Sequence, residues 1–219
     1  MPINLIEGVT TMDKKYITKM MSFLCMSDAA LTMHKECINT SYHISQTKGK
    51  DGLICLSALL LDELRIGYKI TEYQIKGSDT VYTRLSSRVH PFLTKLWNRI
   101  YMDGRKVLDP HAFKQLDWEA MSVLYMSDGN IQGHKGSPRH SAMINLCRLS
   151  YAELMWFRAQ VFERLDLLGN VYKCGKYYRF GFRYDESDIF FEKIRPFMLE
   201  EYMYKLPNER PLLEGDDIV

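Results

Sequence analysis

Residues 21–31 read Met21-Ser22-Phe23-Leu24-Cys25-Met26-Ser27-Asp28-Ala29-Ala30-Leu31, and residues 121–131 read Met121-Ser122-Val123-Leu124-Tyr125-Met126-Ser127-Asp128-Gly129-Asn130-Ile131. Six of the eleven positions are identical at an offset of 100 residues. Ordinary residue frequencies give about one match or fewer in such a window, so the pattern is a duplication. Each copy reads as the end of a helix. Asp117 is a suitable N-cap for a helix over 118–127, and Asp13 or Thr11 for one over 14–27. Met20, Phe23, Leu24 and Ser27 follow helical spacing, as do Ala120, Val123, Leu124 and Ser127. Ser22 with Ala29, and Ser122 with Gly129, are small residues seven apart. They let two such helices approach along a shared seam and bring the acids Asp28 and Asp128 together.

The segments that follow run in parallel. After Asp28 come a polar strand-like stretch over 31–45, an apolar helix near 51–64, strands near 67–75 and 81–89, and a helix near 91–101. After Asp128 come a strand-like stretch over 131–147, a helix near 150–168, a hairpin of 170–174 and 176–184 around Gly175, and a helix near 186–198. The expected class is α+β, with two pseudo-symmetric α-β-β-α-β-β-α repeats. The expected units are residues 1–110 and 111–207, followed by an acidic tail over 208–219 that is a candidate for disorder.

The chain has 219 residues, 46% hydrophobic and 26% charged, which excludes wholesale disorder. No apolar run reaches the roughly 18 residues of a membrane helix. Met1-Pro2-Ile3-Asn4 lacks the basic and apolar regions of a secretory leader. Five cysteines without a C-x-x-C pair point to a reduced setting and away from zinc. The net charge of +2 conceals a partition: residues 65–106 and 132–183 each hold nine Lys/Arg against three Asp/Glu, while 184–219 hold four against ten. Two basic segments offset by acid elsewhere suggest a duplicated positive surface.

Strand alternation shows how that charge is arranged. Tyr82, Arg84, Ser86 and Arg88 share one side of their strand. Tyr177, Arg179, Gly181 and Arg183 share one side of theirs, opposite Tyr178, Phe180 and Phe182. An Arg/Tyr/Ser face suits DNA phosphates and base edges. Pseudo-twofold symmetry would set Asp28 and Asp128 side by side, where the two carboxylates repel unless a cation lies between them. Such oxygen ligands suit Mg²⁺.

These residues resemble the LAGLIDADG homing endonucleases, in the monomeric two-repeat branch of organelle and phage introns. Tyr125-Met126-Ser127-Asp128-Gly129 is similar to the second signature of that family and Ser27-Asp28-Ala29 to the first. His90-Pro91-Phe92 and Gly104-Arg105-Lys106-Val107 resemble the end of its first repeat. Ile194-Arg195-Pro196-Phe197 and Met203-Tyr204-Lys205-Leu206-Pro207 resemble its closing segment. The resemblance implies two antiparallel four-stranded sheets forming a DNA-binding saddle in the major groove. It implies Mg²⁺-dependent cleavage of both strands of a long asymmetric duplex by a monomer, leaving 3′ overhangs. Asp28 and Asp128 take the place of the metal-binding acids, and Lys106 and Lys205 that of the basic residues near each active site. Lys69, Arg84, Arg88, Lys135, Arg139, Lys173, Lys176, Arg179 and Arg183 are the expected DNA-binding residues. The expected location is an intracellular compartment with access to DNA.

Ala29 departs from the glycine usual after the first acid. Alanine resists the close packing that glycine allows, so a slightly displaced first site, with single-strand nicking or weak activity, is the expected consequence. The alternative reading is a cleavage-inactive binding protein on the same fold, either an RNA maturase or a DNA-binding regulator.

Overall fold

In the computed structural model, residues 12–34, 38–133, 139–146 and 148–207 are described. Lys135 and the tail beyond Pro207 lie outside them. The first half runs α1 (Lys14–Met26), β1 (Ala30–Met33), β2 (Thr40–Thr47), α2 (Gly52–Glu63), β3 (Tyr68–Gln74), β4 (Val81–Ser87) and α3 (Pro91–Ile100). A small hairpin, β5 (Tyr101–Met102) with β6 (Arg105–Lys106), and the one-turn α4 (Pro110–Phe113) lead to the second half. There α5 (Trp118–Asp128), β7 (Gly129–Gln132), β8 (Ser141–Ile144), α6 (Tyr151–Leu165), β9 (Asn170–Cys174), β10 (Tyr177–Gly181) and α7 (Tyr184–Ile194) repeat the same order. Two short 3-10 turns, Arg195–Phe197 and Glu200–Lys205, end the described residues. The last helix stops earlier than its periodicity suggests, because Pro196 lacks the N–H that an α-helix needs.

The fold is α+β, with two antiparallel four-stranded sheets of order β1-β2-β4-β3 and β7-β8-β10-β9. The duplication is visible in the register. Ala30 faces His43 and Asn130 faces Met143; Leu31 faces Tyr42 and Ile131 faces Ala142. Every pair is displaced by the same 100 residues. The third and fourth strands drift from that offset because the β3–β4 loop spans residues 75–80, whereas β9 and β10 join through Gly175-Lys176 alone. Gly175 permits this tight turn at φ +60°.

Each sheet buries one face on helices. Tyr42, Ile44 and Leu85 are fully buried in the first, and Ile144, Phe180 and Ala142 in the second. The two cores differ in chemistry. The first is largely aliphatic, with Leu53, Ile54, Leu60 and Leu61. The second interlocks Tyr125, Phe157, Phe180, Phe182 and Phe190 edge to face or stacked.

Helices α1 and α5 join the halves. Tyr16 Oη donates to Glu119 Oε1 at 2.7 Å, and Lys19 Nζ lies 2.5 Å from Asp117 Oδ2 and 3.4 Å from Glu119 Oε2. At the other end, Ser27 Oγ meets Ser127 Oγ at 3.0 Å. The close approach therefore falls at the Ser27/Ser127 pair. Ser22 and Ser122, the expected seam, give their hydroxyls to other partners: Ser22 to Asp109, Ser122 to the Glu119 and Phe197 carbonyls. No helix among the described residues is long and apolar enough to cross a membrane.

Candidate active site

The contact of Ser27 with Ser127 places the next residue of each copy at one cleft. Asp28 and Asp128 both line a cavity of about 240 Å³, with Ser27, Asn145 and Arg148 among its other walls. The two acids are not equivalent. Asp28 is exposed and accepts a 2.7 Å hydrogen bond from Gln46 Nε2. Asp128 is half-buried, and its backbone carbonyl accepts from Asn145 N (2.9 Å) and Nδ2 (3.0 Å). Burial, and then the neighbouring Asp28 carboxylate, push the Asp128 carboxyl up to about 6, while Arg148, Lys106 and Lys205 pull the other way.

Lys106 and Lys205 occupy matched places. The β5–β6 hairpin carries Lys106, whose Nζ donates to the carbonyls of Ser27 (2.9 Å) and Ala29 (2.6 Å). The closing 3-10 turn carries Lys205, whose Nζ donates to Met126 (2.6 Å) and Ser127 (3.2 Å). Each ammonium thus caps the carbonyl-rich end of its helix beside an acid, where the helix dipole favours a cation. Burial pulls both amines below the usual lysine range, against the raising effect of Asp28 and Asp128. The hydroxyl of Tyr125 accounts for one further turn of this strap, donating to the Lys205 carbonyl at 2.8 Å.

The structure explains Ala29. Helix α5 continues through Asp128, and a Cβ on Gly129 would stand 2.2 Å from the Tyr125 ring and 2.3 Å from its carbonyl oxygen. Helix α1 ends earlier, at Met26, with Ser27 leaving the helix at φ −111°, ψ −116°. Cys25 stands where Tyr125 stands in the second copy. Ala29 is fully buried there, its N–H bonded to Leu24 O at 2.9 Å, and it has no positive φ. The alanine fits the shorter helix and the smaller neighbour, which removes the reason to expect a displaced first site. The converse substitution is costly. Gly129→Ala should lower stability by about 2 kcal/mol through overpacking, read as an earlier urea midpoint. An unchanged midpoint would show that Tyr125 yields freely.

The solvent face of the first sheet carries Lys69, Thr71 and Tyr73 on β3, opposite Ser86, Arg84 and Tyr82 on β4. Arg84 donates to Ser45 Oγ (3.0 Å) and sits over the Tyr73 ring (4.5 Å), which stacks on Tyr82. His43 shares this face; burial, then Arg84 and Lys106, hold its imidazole below the usual range. Arg88 follows β4, exposed. On the second sheet Arg179 faces Tyr172 on the side opposite Phe180, and among the described residues its Nε is buried without a partner. Asn130, Gln132 and Ser141 share that face by register. Arg139 lies exposed in the β7–β8 connection, Lys176 in the β9–β10 turn, and Arg183 at the start of α7. Lys173 is the exception. It pairs with Tyr178, on the helix side of the sheet, and so is not brought to the face of Arg179. Gln46, Asn145 and Arg148 were not foreseen at the cleft. Arg148 lay unmarked in the second basic segment.

Among the described residues no group of three His, Cys, Asp or Glu converges. Two carboxylates remain, and Mg²⁺ needs only one or two when phosphate and water complete its shell. The mutual repulsion recorded at Asp128 is what a divalent cation would relieve, so the residues fit the ion.

Comparison with known structures gives the fold a context. A structure of the homing endonuclease I-WcaI bound to its DNA recognition sequence superposes with a TM-score of 0.76 at 14% identity, over 89% of this chain and 87% of that one. The N-terminal LAGLIDADG domain of DUF199/WhiA gives 0.52 at 12% identity, over 85% and 86%. A substituted I-DmoI, in complex with target DNA nicked in the coding strand and in the presence of manganese, gives 0.50 at 15% identity, over 83% and 96%. No curated protein matches the chain. The model of the LAGLIDADG DNA endonuclease family matches residues 19–190. With a duplicated αββαββα fold and paired acids at the ends of its two signature helices, this chain belongs to the LAGLIDADG DNA endonuclease family.

Proposed function

We propose that this chain is a site-specific endonuclease that hydrolyses both strands of a long, asymmetric DNA duplex with Mg²⁺, as a monomer built from units 1–110 and 111–207. The observation that carries this reading is the meeting of Asp28 and Asp128 at one cleft, each beside a lysine that caps its own helix end. Asp28 and Asp128 would hold the ion. When bound, a divalent ion neutralises phosphate charge and lowers the pKa of water. Gln46 fixes the Asp28 carboxylate from one side. Lys106 and Lys205 hold the two helix ends rigid and set positive charge where the phosphorane charge develops. Arg148 adds a guanidinium to the wall of the same cleft.

Lys69, Arg84, Arg88, Arg139, Lys176, Arg179 and Arg183 are proposed to contact the duplex from the two sheets. Their cations supply affinity, and the interleaved Tyr, Ser, Asn and Gln side chains supply base readout. Lys173 is retained as a backbone contact from the sheet edge, and Lys135 from the β7–β8 connection. Mobility of a host intron and residence in a DNA-containing compartment follow from this reading. Retention of both acids and both lysines supports this reading over the cleavage-inactive alternative.

The test is incubation of the full chain with a plasmid library of random inserts, with Mg²⁺ or with EDTA. Mg²⁺-dependent linearisation of a minority of plasmids, sharing one long insert motif, is expected. Salt-dependent retention of duplex without linear product would replace the nuclease reading with the binding one.

A further inference from the structure

The molecule carries a second concave basic site away from the acidic cleft. A cavity of about 370 Å³ opens between α1 and α3, lined by Lys14, Thr18, His90, Phe92, Lys95 and Arg99. Among the described residues no carboxylate lines it. Helix α3 turns Leu93, Leu96 and Ile100 into the core and leaves Lys95 exposed. Its Thr94 accepts from the backbone N–H of Thr40 on β2, so α3 covers the inner side of the first sheet. The cavity therefore lies behind the sheet whose other face carries Lys69 and Arg84. Lys14 begins α1 and Asp28 follows its end; the 13 residues between caps span about 20 Å.

The two lysines here are not consumed by the fold. Among the described residues, neither Lys14 nor Lys95 has an ion-pair partner. Arg99 commits Nε and one Nη2 hydrogen to Asp109, which anchors the guanidinium and leaves its remaining N–H groups. His90 accepts the Phe92 N–H through Nδ1 at 3.2 Å, so the neutral ring carries its proton on Nε2 as a donor. Two unpaired ammonium groups and an anchored guanidinium around one concavity raise the local positive potential. Ammonium and guanidinium are the groups that hold phosphate. The half-buried Phe92 ring offers a surface on which a base can stack.

We propose that this cavity is a second phosphate site, which takes the backbone of a nucleic-acid strand distinct from the duplex at the acidic cleft. Such a strand is a single-stranded part of the DNA that flanks the duplex at the cleft, so this inference rests on the proposed function. The shared chemistry is phosphate with an adjacent base.

The test is amide NMR on the isotopically labelled full chain without divalent ions. The probes are inorganic pyrophosphate and a single-stranded oligothymidylate about twelve nucleotides long. Saturable shifts are expected at the amides of His90–Arg99, with the oligonucleotide binding at least tenfold more tightly than pyrophosphate. In Lys14→Gln/Lys95→Gln those amides should bind at least tenfold more weakly. The salt slope there should fall by about 1.4, as for two lost single-strand phosphate contacts. Amides of β3 and β4 should respond as before, and plasmid linearisation should be unchanged. Three results would overturn the proposal. Still amides on α3 would remove the site. Equal response in the double variant would remove its cations. Pyrophosphate binding as tight as the oligonucleotide would make it a site for a free phosphate compound and not a strand.

Discussion

Asp128→Asn will abolish double-strand cleavage and at the same time make the metal-free protein more stable at pH 8. The two effects share one cause. Asp128 is half-buried beside Asp28, and its carboxyl is pushed up to about 6 from an ordinary value of 3.8. A carboxylate raised in the folded state adds stability that is fully present below about 3.8 and is lost as pH rises through about 6. At pH 8 the charged Asp128 is therefore a cost. A shift of this size, reduced for partial exposure, corresponds to about 2 kcal/mol. The amide cannot ionise, so the variant should melt higher at pH 8 in EDTA and no higher at pH 3.5. On the proposed function, cleavage should fall at least about a thousandfold, roughly 4 kcal/mol, because a metal held between two acids would lose one of them. Duplex binding should persist, since the proposed contacts are spread over two sheets and a negative charge has been removed. Thermal melts at both pH values, a gel shift and a plasmid assay check the set. Normal cutting by the variant would refute the assigned role of Asp128, and a gain in melting temperature that ignores pH would refute the electrostatic account.

Site and fold were legible to different depths, for physical reasons. The helices and the acids at their ends were readable because helical spacing and an N-cap are local in sequence. The matched 100-residue offset carried straight through to the strand register. Arg84 and Arg179 were placed correctly by alternation alone. Lys173 shares the parity of Val171, which turns inward, so alternation sets it on the helix side of the edge strand. Gln46 and Arg148 reach the cleft only because each hairpin folds back by a particular length, and nothing local encodes that length. The difference between Ala29 and Gly129 required knowing that α5 runs two residues further than α1.

The seam also shows why one chain replaces two. Lys19 and Glu119 stand at the same position of the repeat and meet across the axis. In a symmetric dimer that position would face its own copy, lysine against lysine or glutamate against glutamate. Within a single chain the copies can diverge into a complementary pair. Ser27 and Ser127, which suit self-pairing, remain identical. At the Lys19/Glu119 position divergence replaces a repulsive self-pairing with a complementary pair.

Asp109→Ala should be the most damaging substitution outside the cleft. Asp109 is fully buried in the connection between the halves. It receives Arg99 Nη2 at 2.5 Å and Nε at 3.3 Å, the Ser22 hydroxyl at 3.1 Å from α1, and the His111 N–H at 3.0 Å as the N-cap of α4. One carboxylate therefore ties α1, α3 and α4 together. Truncation leaves a guanidinium that is only 29% exposed without its counter-ion. Breaking a buried pair in this way costs about 3–5 kcal/mol, more than the pair itself contributes, because the remaining charge stays desolvated. The melting temperature should fall by about 10 °C. Asp109→Asn keeps the cap through Oδ1 and reverses the Ser22 bond, the amide donating to the hydroxyl, and should lose about half as much. Removing both charges in Arg99→Met/Asp109→Leu should recover much of the loss, since a packed apolar pair avoids the desolvation cost. If the double variant were as unstable as Asp109→Ala, the cap and the Ser22 hydrogen bond, and not the ion pair, would be what holds the two repeats at this joint.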